Sequence, residues 1–250
     1  MMDKKMRIEC ERKMFAGLRT LEGQKSSWRD QEWKDNKIKI FNFIKSSENL
    51  SGKLVLNVGC GRDILYNYFE KENSVLVECD IIGESLIELK SNGVINLIRC
   101  DAHYLPFKTD IFDLVFCIEL IHHLHPIEEP LAELIRVLKK NHNFYCVEPN
   151  KYAFISLPFA FVSLQLRNRI RYFLYSRIFD TDGPPASYEY PLSAGEIKQA
   201  MIKNGIKLPM ENYLYKASPD VPKFLFMAWN LIGTLFDKFS FEVMVYGRKE

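Results

Sequence analysis

The chain has 250 residues, 47% of them hydrophobic and 26% charged, a balance that fits a soluble globular protein and excludes disordered and fibrous classes. A formal net charge of +2 at pH 7 lacks the clustered basic excess of phosphate recognition, so nucleic acid is not the expected partner. The six cysteines (Cys10, Cys60, Cys79, Cys100, Cys117 and Cys146) form no Cys-x-x-Cys pair and lack zinc-ligand spacing to histidine. Reduced thiols and no metal are therefore expected, with Cys79, Cys100, Cys117 and Cys146 packing in or beside strands.

Taken in chain order, residues 1–52 read as an N-terminal helical segment. Its charged start does not resemble a secretory signal, and Phe15, Leu18, Trp28, Trp33, Ile40, Phe41 and Ile44 fall at intervals suited to partly amphipathic helices. From Lys53 short apolar runs alternate with helix-like segments, the pattern of a parallel sheet built from βαβ units. Strands are expected at 54–58, 74–79, 95–99, 114–118 and 144–148 within a core spanning 53–150. Residues 151–191 look inserted, with many aromatics and arginines and the loop Asp182-Gly183-Pro184-Pro185. Residues 192–250 return to the core. There Ser193 and Glu196 have capping-box spacing, the helix they start stops at Gly205, and strands are expected at 208–215 and 242–247. The expected fold is α/β, a doubly wound, mostly parallel seven-stranded sheet. The most apolar stretches, 153–166 and 224–236, are shorter than the roughly 20 residues of a membrane-spanning helix.

The first predicted strand runs into Gly59-Cys60-Gly61 and then a helix starting near Asp63, which opens room for backbone N–H groups to meet a nucleotide-like ligand. Asp80 closes the second strand about 20 residues later, where a doubly wound fold places the carboxylate that accepts from ribose hydroxyls. Asp101 closes the third beside the same cleft, positioned to accept from an adenine amine. A strand-end aspartate alone is usually a turn or cap residue, but three strand ends in register carry more weight.

These motifs resemble the class I S-adenosylmethionine-dependent methyltransferases, specifically the small-molecule group called type 11. The resemblance covers about residues 53–150. Its motifs are Leu54-Val55-Leu56-Asn57-Val58-Gly59-Cys60-Gly61, Asp80-Ile81, Asp101-Ala102 with Leu105-Pro106-Phe107, Phe112-Asp113-Leu114-Val115, Glu119-Leu120-Ile121-His122-His123-Leu124, Arg136-Val137-Leu138-Lys139 and Glu148-Pro149-Asn150. It implies S-adenosyl-L-methionine as methyl donor. Gly59, Cys60 and Gly61 would approach its methionine part through backbone atoms, Asp80 and Ile81 the ribose, Asp101 and Ala102 the adenine, and Cys117 to Glu119 the sulfonium. Asn57 stands where the family usually has an acid, and Asp63 where many members have a third glycine; Asp63 reads as a helix N-cap, with a ligand contact as the alternative. A nicotinamide-dependent oxidoreductase would need a glycine where Ile64 stands, and that fingerprint fails.

Methyl transfer from a sulfonium is an in-line displacement in which positioning is the main task. A hydroxyl or phenol acceptor would gain from a general base, and His122 and His123, with His125 close by, follow the fourth strand at the ligand-binding edge. Adjacent residues point in different directions, so at most one of His122 and His123 is expected to face the substrate. For Glu119 and Glu148, contacts to backbone N–H groups that shape the loop weigh at least as heavily as a catalytic role.

The segment 152–179 carries Phe154, Leu157, Phe161 and Leu164 at helical intervals, then Arg167, Arg169, Arg171 and Arg177 among Tyr172, Phe173 and Tyr175. It reads either as a lid whose arginines meet a membrane surface or a phosphate, or, preferred here, as a helical cap packed on the sheet. A second apolar helix with Phe224, Phe226, Met227, Trp229, Leu231, Ile232, Leu235 and Phe236 could wall the site for an amphiphilic or aromatic small-molecule acceptor. Methylation at oxygen, nitrogen or carbon is the expected function, in the cytoplasm or peripheral to a membrane. The alternative is an S-adenosylmethionine-binding regulatory or inactive protein.

Overall fold

Apolar runs flanked by turn residues become a sheet buried on both faces. A computed structural model describes residues 27–61, 65–124, 126–153, 192–213 and 223–250. In chain order the elements are α1 (Ser27–Ser47), β1 (Leu54–Val58), α2 (Tyr66–Lys71), β2 (Val75–Asp80), α3 (Gly83–Ser91), β3 (Leu97–Arg99), β4 (Phe112–Ile118), a 3-10 turn (Ile121–His123), α4 (Glu128–Val137), β5 (Leu138–Pro149), α5 (Ala194–Lys203), β6 (Ile206–Asn212), α6 (Lys223–Leu235), a second 3-10 turn (Asp237–Phe239) and β7 (Glu242–Lys249). The strands form one seven-stranded sheet in the order β3-β2-β1-β4-β5-β7-β6. β1 to β5 run parallel, and β7 lies antiparallel between β5 and β6. The order reverses between β1 and β4, and the crevice outside their carboxyl ends is where ligands bind in open α/β sheets.

Alternate residues of each strand feed two cores. Leu56, Val58, Val115, Cys117, Phe144 and Cys146 meet α4 and α5 on one face. On the other, Val55, Leu114, Phe116 and Tyr145 meet Ile40, Phe41 and Ile44 of α1 and Phe69 of α2. The helical preface is thus part of the main body, with Phe41 edge-on to Phe69 at 5.1 Å.

β1 occupies the expected residues, whereas other boundaries shift for local reasons. β5 starts at Leu138 rather than 144, but a register break follows its first pair, and Asn141 takes a left-handed φ of 62°, so the polar stretch 139–142 is an irregular, bulged part of the strand. β6 runs from Ile206 to Asn212 rather than 208–215; as an edge strand it tolerates Pro209, and its register breaks between Lys207 and Met210. Ser193 caps α5 through a full capping box with Glu196, and Gly205 follows the helix at φ 89°.

The readings that rest on Phe15, Leu18, Asp63, Ile64, His125 and the insertion with its arginines lie outside the described residues, because that segment is described only up to Ala153. No helix among the described residues is long and apolar enough to cross a membrane.

Candidate functional site

The site begins where β1 ends. Gly59 and Gly61 adopt left-handed φ of 72° and 54°, a conformation glycine takes without the Cβ penalty. At Gly59 a Cβ would also lie 2.7 Å from Leu120 Cδ1, so the glycine loop and the turn after β4 are in direct contact. The N–H groups of Gly59 and Cys60 both donate to the Cys79 carbonyl, at 2.8 and 3.0 Å, and tie the loop to β2. The Cys60 side chain packs with Leu86, Leu89 and Val94.

Asp80 ends β2 beside this loop. Its Oδ2 accepts the Gly61 N–H and its Oδ1 the Ile82 N–H, both at 2.8 Å. Burial raises its pKa, partly offset by these N–H donors. Each oxygen of an ionised carboxylate retains capacity for another donor. Asp101 follows β3, and its Oδ1 accepts from the N–H and the Nδ1 of His103 at 3.0 and 2.9 Å. Beyond it, Arg136 donates to the carbonyls of Leu105 and Phe107, while Glu133 accepts the Leu105 N–H and pairs with Arg136 at 2.7 Å. The Leu105-Pro106-Phe107 and Arg136-Val137-Leu138-Lys139 motifs are thus two halves of one clamp on the loop after Asp101 and Ala102.

Asn57 is buried, and its Nδ2 donates to Glu78 Oε2 at 2.7 Å. The acidic side chain absent from position 57 is therefore present on the neighbouring strand, as Glu78. Glu78 interrupts the apolar run of β2, a signal in the sequence that its pairing with Asn57 explains.

The ends of β4, β5 and β7 bring a second group together. Glu119 has a left-handed φ of 54°, unusual for a residue with a side chain and of the kind found at functional sites. Burial, then the adjacent Glu242, push its pKa up to about 8, against the lowering influence of Lys37 and His122. Glu242 is raised as well, chiefly by burial, and its Oε2 accepts from Asn36 Nδ2 of α1 at 2.6 Å. Both carboxyls are thus held above the ordinary carboxylate range.

On the opposite side of β5, Glu148 is fully buried and takes five donors, the Cys146 thiol at 3.9 Å among them. Oε1 accepts the N–H groups of Leu120 and Ile121 at 3.1 and 2.7 Å; Oε2 accepts the His122 N–H at 3.3 Å and lies 2.6 Å from His122 Nδ1. The loop-shaping contacts expected of Glu148 are present, and the imidazole contact adds to them. His123 stacks on His122 with ring centroids 3.9 Å apart.

Asn57, Gly59, Cys60, Gly61, Asp80, Ile81, Asp101, Ala102 and Glu119 all fall at strand ends or in the loops that follow them along the carboxyl edge, with His122 and His123 in the turn after β4. Cys117 is placed differently from its neighbours. Its thiol is wholly buried against Cys146, so only its main chain can meet a ligand. The ligand atoms of Cys117, Cys146 and Glu148 lie within 4.8 Å of one another, but burial raises the Cys117 thiol, the Cys117 hydrogen bond and burial raise that of Cys146, and Glu148 is occupied by its five donors. Sequence reading did not single out His103, Glu78, Glu242, Asn36 or Lys37.

The strand order and the glycine loop define a class, the class I S-adenosylmethionine-dependent methyltransferase fold. Solved structures agree. A possible histamine N-methyltransferase from Thermotoga maritima matches with TM-score 0.63 at 14% identity, over 95% of this chain and 100% of that one. Magnesium protoporphyrin IX methyltransferase from Synechocystis, with bound SAH, matches with TM-score 0.59 at 14% identity, over 94% of each chain. Residues 56–146 match the model of the methyltransferase domain family.

Two curated relatives lie in the same region. One is an uncharacterized protein of Methanocaldococcus jannaschii, 31% identical over 112 residues, or 45% of this chain and 48% of that protein. The other is a ubiquinone biosynthesis O-methyltransferase of Coxiella burnetii, 27% identical over 135 residues, or 46% of this chain and 57% of that protein. The chain spans about half the length of these two relatives.

Proposed function

We propose that this chain transfers a methyl group from S-adenosylmethionine to a small-molecule acceptor. The observation that carries the reading is Asp80, a buried carboxylate held by the Gly61 and Ile82 N–H groups beside two left-handed glycines, with Asp101 at the next strand end. These residues fit the donor. Each Asp80 oxygen keeps capacity for a ribose hydroxyl, and two such bonds would offset the burial that raises its pKa. When bound, S-adenosylmethionine supplies an electrophilic methyl group on a sulfonium. The chain's part is to hold the donor along the carboxyl edge, keep water out and aim the acceptor in line.

Trp33 and Trp229 both lie edge to face with Phe241, with centroids 6.1 and 5.7 Å apart, and this aromatic cluster supports an aromatic or amphiphilic acceptor. The cytoplasm is the proposed location. The apolar face of α6, with Met227, Leu231 and Leu235 each exposed by more than 60%, is the surface suited to a peripheral membrane contact.

Incubation with S-[methyl-³H]adenosylmethionine and a panel of phenols, hydroxylated aromatics and amines tests the reading. Label should pass to at least one acceptor with the wild-type protein and fall sharply with Asp80→Ala. A panel that stays unlabelled despite tight donor binding would contradict transfer and favour a binding protein.

A further inference from the structure

Glu119, Glu242 and Asn36 form a polar cluster beside the donor loop that holding the donor does not require. Glu119 directly follows β4 and directly precedes Leu120, whose side chain touches Gly59. A ligand held by Glu119 is therefore next to the crevice.

We infer that the methyl acceptor is a primary or secondary amine, bound as its ammonium against Glu119, with Glu242 and Asn36 as the positioning residues behind that contact. The inference rests on the methyl-transfer reading and deepens it by naming the substrate class.

Three elements build the cluster. The left-handed backbone at Glu119 turns the chain out of β4, and its carboxyl meets that of Glu242. Glu242 lies opposite Pro149 at the start of β7 and is 1% exposed, and Asn36 of α1 donates to its Oε2 at 2.6 Å. Glu119 alone of the three keeps some solvent access, so a ligand meets it first.

The cluster is short of hydrogen-bond donors. Glu242 Oε1 and Asn36 Oδ1 are buried with no donor among the described residues, a costly state for polar atoms. A proton on Glu119 can serve the Glu242 oxygen, and the Asn36 oxygen is left over. Lys37 of α1 is the lysine that acts on both carboxyls, and His122 adds to it at Glu119. An ammonium supplies what is missing, a positive charge and two or three N–H donors. A metal ion does not fit, because Glu119 and Glu242 belong to no group of three histidine, cysteine or carboxylate ligands among the described residues. Aromatic side chains border the same cluster: Trp33 lies one turn before Asn36 and Lys37, and Phe241, edge to face with it, immediately precedes Glu242. Aromatic rings attract cations and accommodate the apolar part of an amine.

The groups that face Glu119 are Glu242 from β7, Lys37 from α1 and His122 from the turn, with Glu148 of β5 acting on Glu242. An ammonium against Glu119 favours its ionised form, so binding displaces the proton that burial and Glu242 keep there at neutral pH. For transfer, the ammonium gives one proton to the Glu119 carboxylate, and the freed nitrogen lone pair attacks the methyl carbon. The carbon–sulfur bond breaks and its electron pair returns to sulfur. The product leaves as a methylated ammonium, and Glu119 passes its proton to solvent.

Calorimetry on protein saturated with S-adenosylhomocysteine, which has no methyl group to transfer, tests the inference. Benzylamine, phenethylamine and tyramine are compared with benzyl alcohol, phenethyl alcohol and tyrosol at pH 7, in phosphate and in HEPES. At least one amine should bind on the order of 10-fold more tightly than its alcohol, with release of close to one proton. Glu119→Gln should lose both the preference and the release, and Glu119→Asp should keep the preference in part. Glu242→Gln should release less, because Glu119 then starts more ionised; circular dichroism checks each fold. Amines bound no more tightly than alcohols, amine binding without proton release, or Glu119→Gln that binds the amine as wild type does would each overturn the inference. Protein that fails to bind S-adenosylhomocysteine sinks the methyl-transfer reading, whereas protein that binds it and ignores the amines sinks only the substrate class.

Discussion

Replacing Glu242 with glutamine should flatten the dependence of stability on pH. Glu119 holds its proton up to about pH 8 against an ordinary value of 4.5, first because it is buried and second because Glu242 is beside it. Between those pH values the folded chain binds a proton that the unfolded chain has released. The sign follows: this contribution is fully present below about pH 4.5 and is lost as pH rises towards 8. One such group gives a slope of at most about 1.4 kcal/mol per pH unit within the window.

Glu242→Gln removes both the charge that raises Glu119 and the raised Glu242 titration itself, so both changes act in the same direction. The amide oxygen of the new side chain can still accept from Asn36. Asp113, Glu133 and Glu196 are held below their ordinary values and titrate alike in both proteins, so they cancel in the difference. Guanidinium unfolding followed by circular dichroism at pH 5, 6, 7 and 8 reads the slope. Parallel curves for wild type and Glu242→Gln would refute the influence of Glu242 on Glu119.

Two further substitutions probe the frame around the site. Gly59→Ala should cost about 1–2 kcal/mol from its left-handed φ, lowering Tm by roughly 2–8 °C in a chain of this size, and weaken donor binding because Leu120 must move; an unchanged Tm would contradict the tight contact. Ser193→Ala should lose about 0.5–2 kcal/mol by breaking the capping box, and it should leave donor binding unchanged; calorimetry that found binding impaired would show α5 coupled to the crevice.

What could be read from the sequence follows from how local each feature is. β1 and the Ser193 cap are set by residues within a few positions of one another, and both appear where pattern and capping chemistry place them. Asp80 and Asp101 were legible because a strand end fixes where a side chain lies along the carboxyl edge. The partners were not. Asn36 and Glu242 meet across 206 positions, and His122 and Glu148 across 26, and no periodicity links such pairs. Strand limits failed where the backbone departs from regular pairing, at Asn141 within β5 and at Leu208 and Pro209 within β6. Asn57 read as a lost charge because Glu78, one strand away, could not be placed beside it without the β1–β2 register.

The central claim is that the glycine loop and Asp80 hold S-adenosylmethionine, and calorimetric titration of the full chain tests it most directly. Wild-type protein should bind one equivalent, and Asp80→Ala, with its fold checked by circular dichroism, should bind on the order of 10- to 100-fold more weakly, as expected for losing hydrogen bonds to a charged group. Wild-type protein that gives no binding heat, or an Asp80→Ala variant that binds as tightly as wild type, would contradict the account.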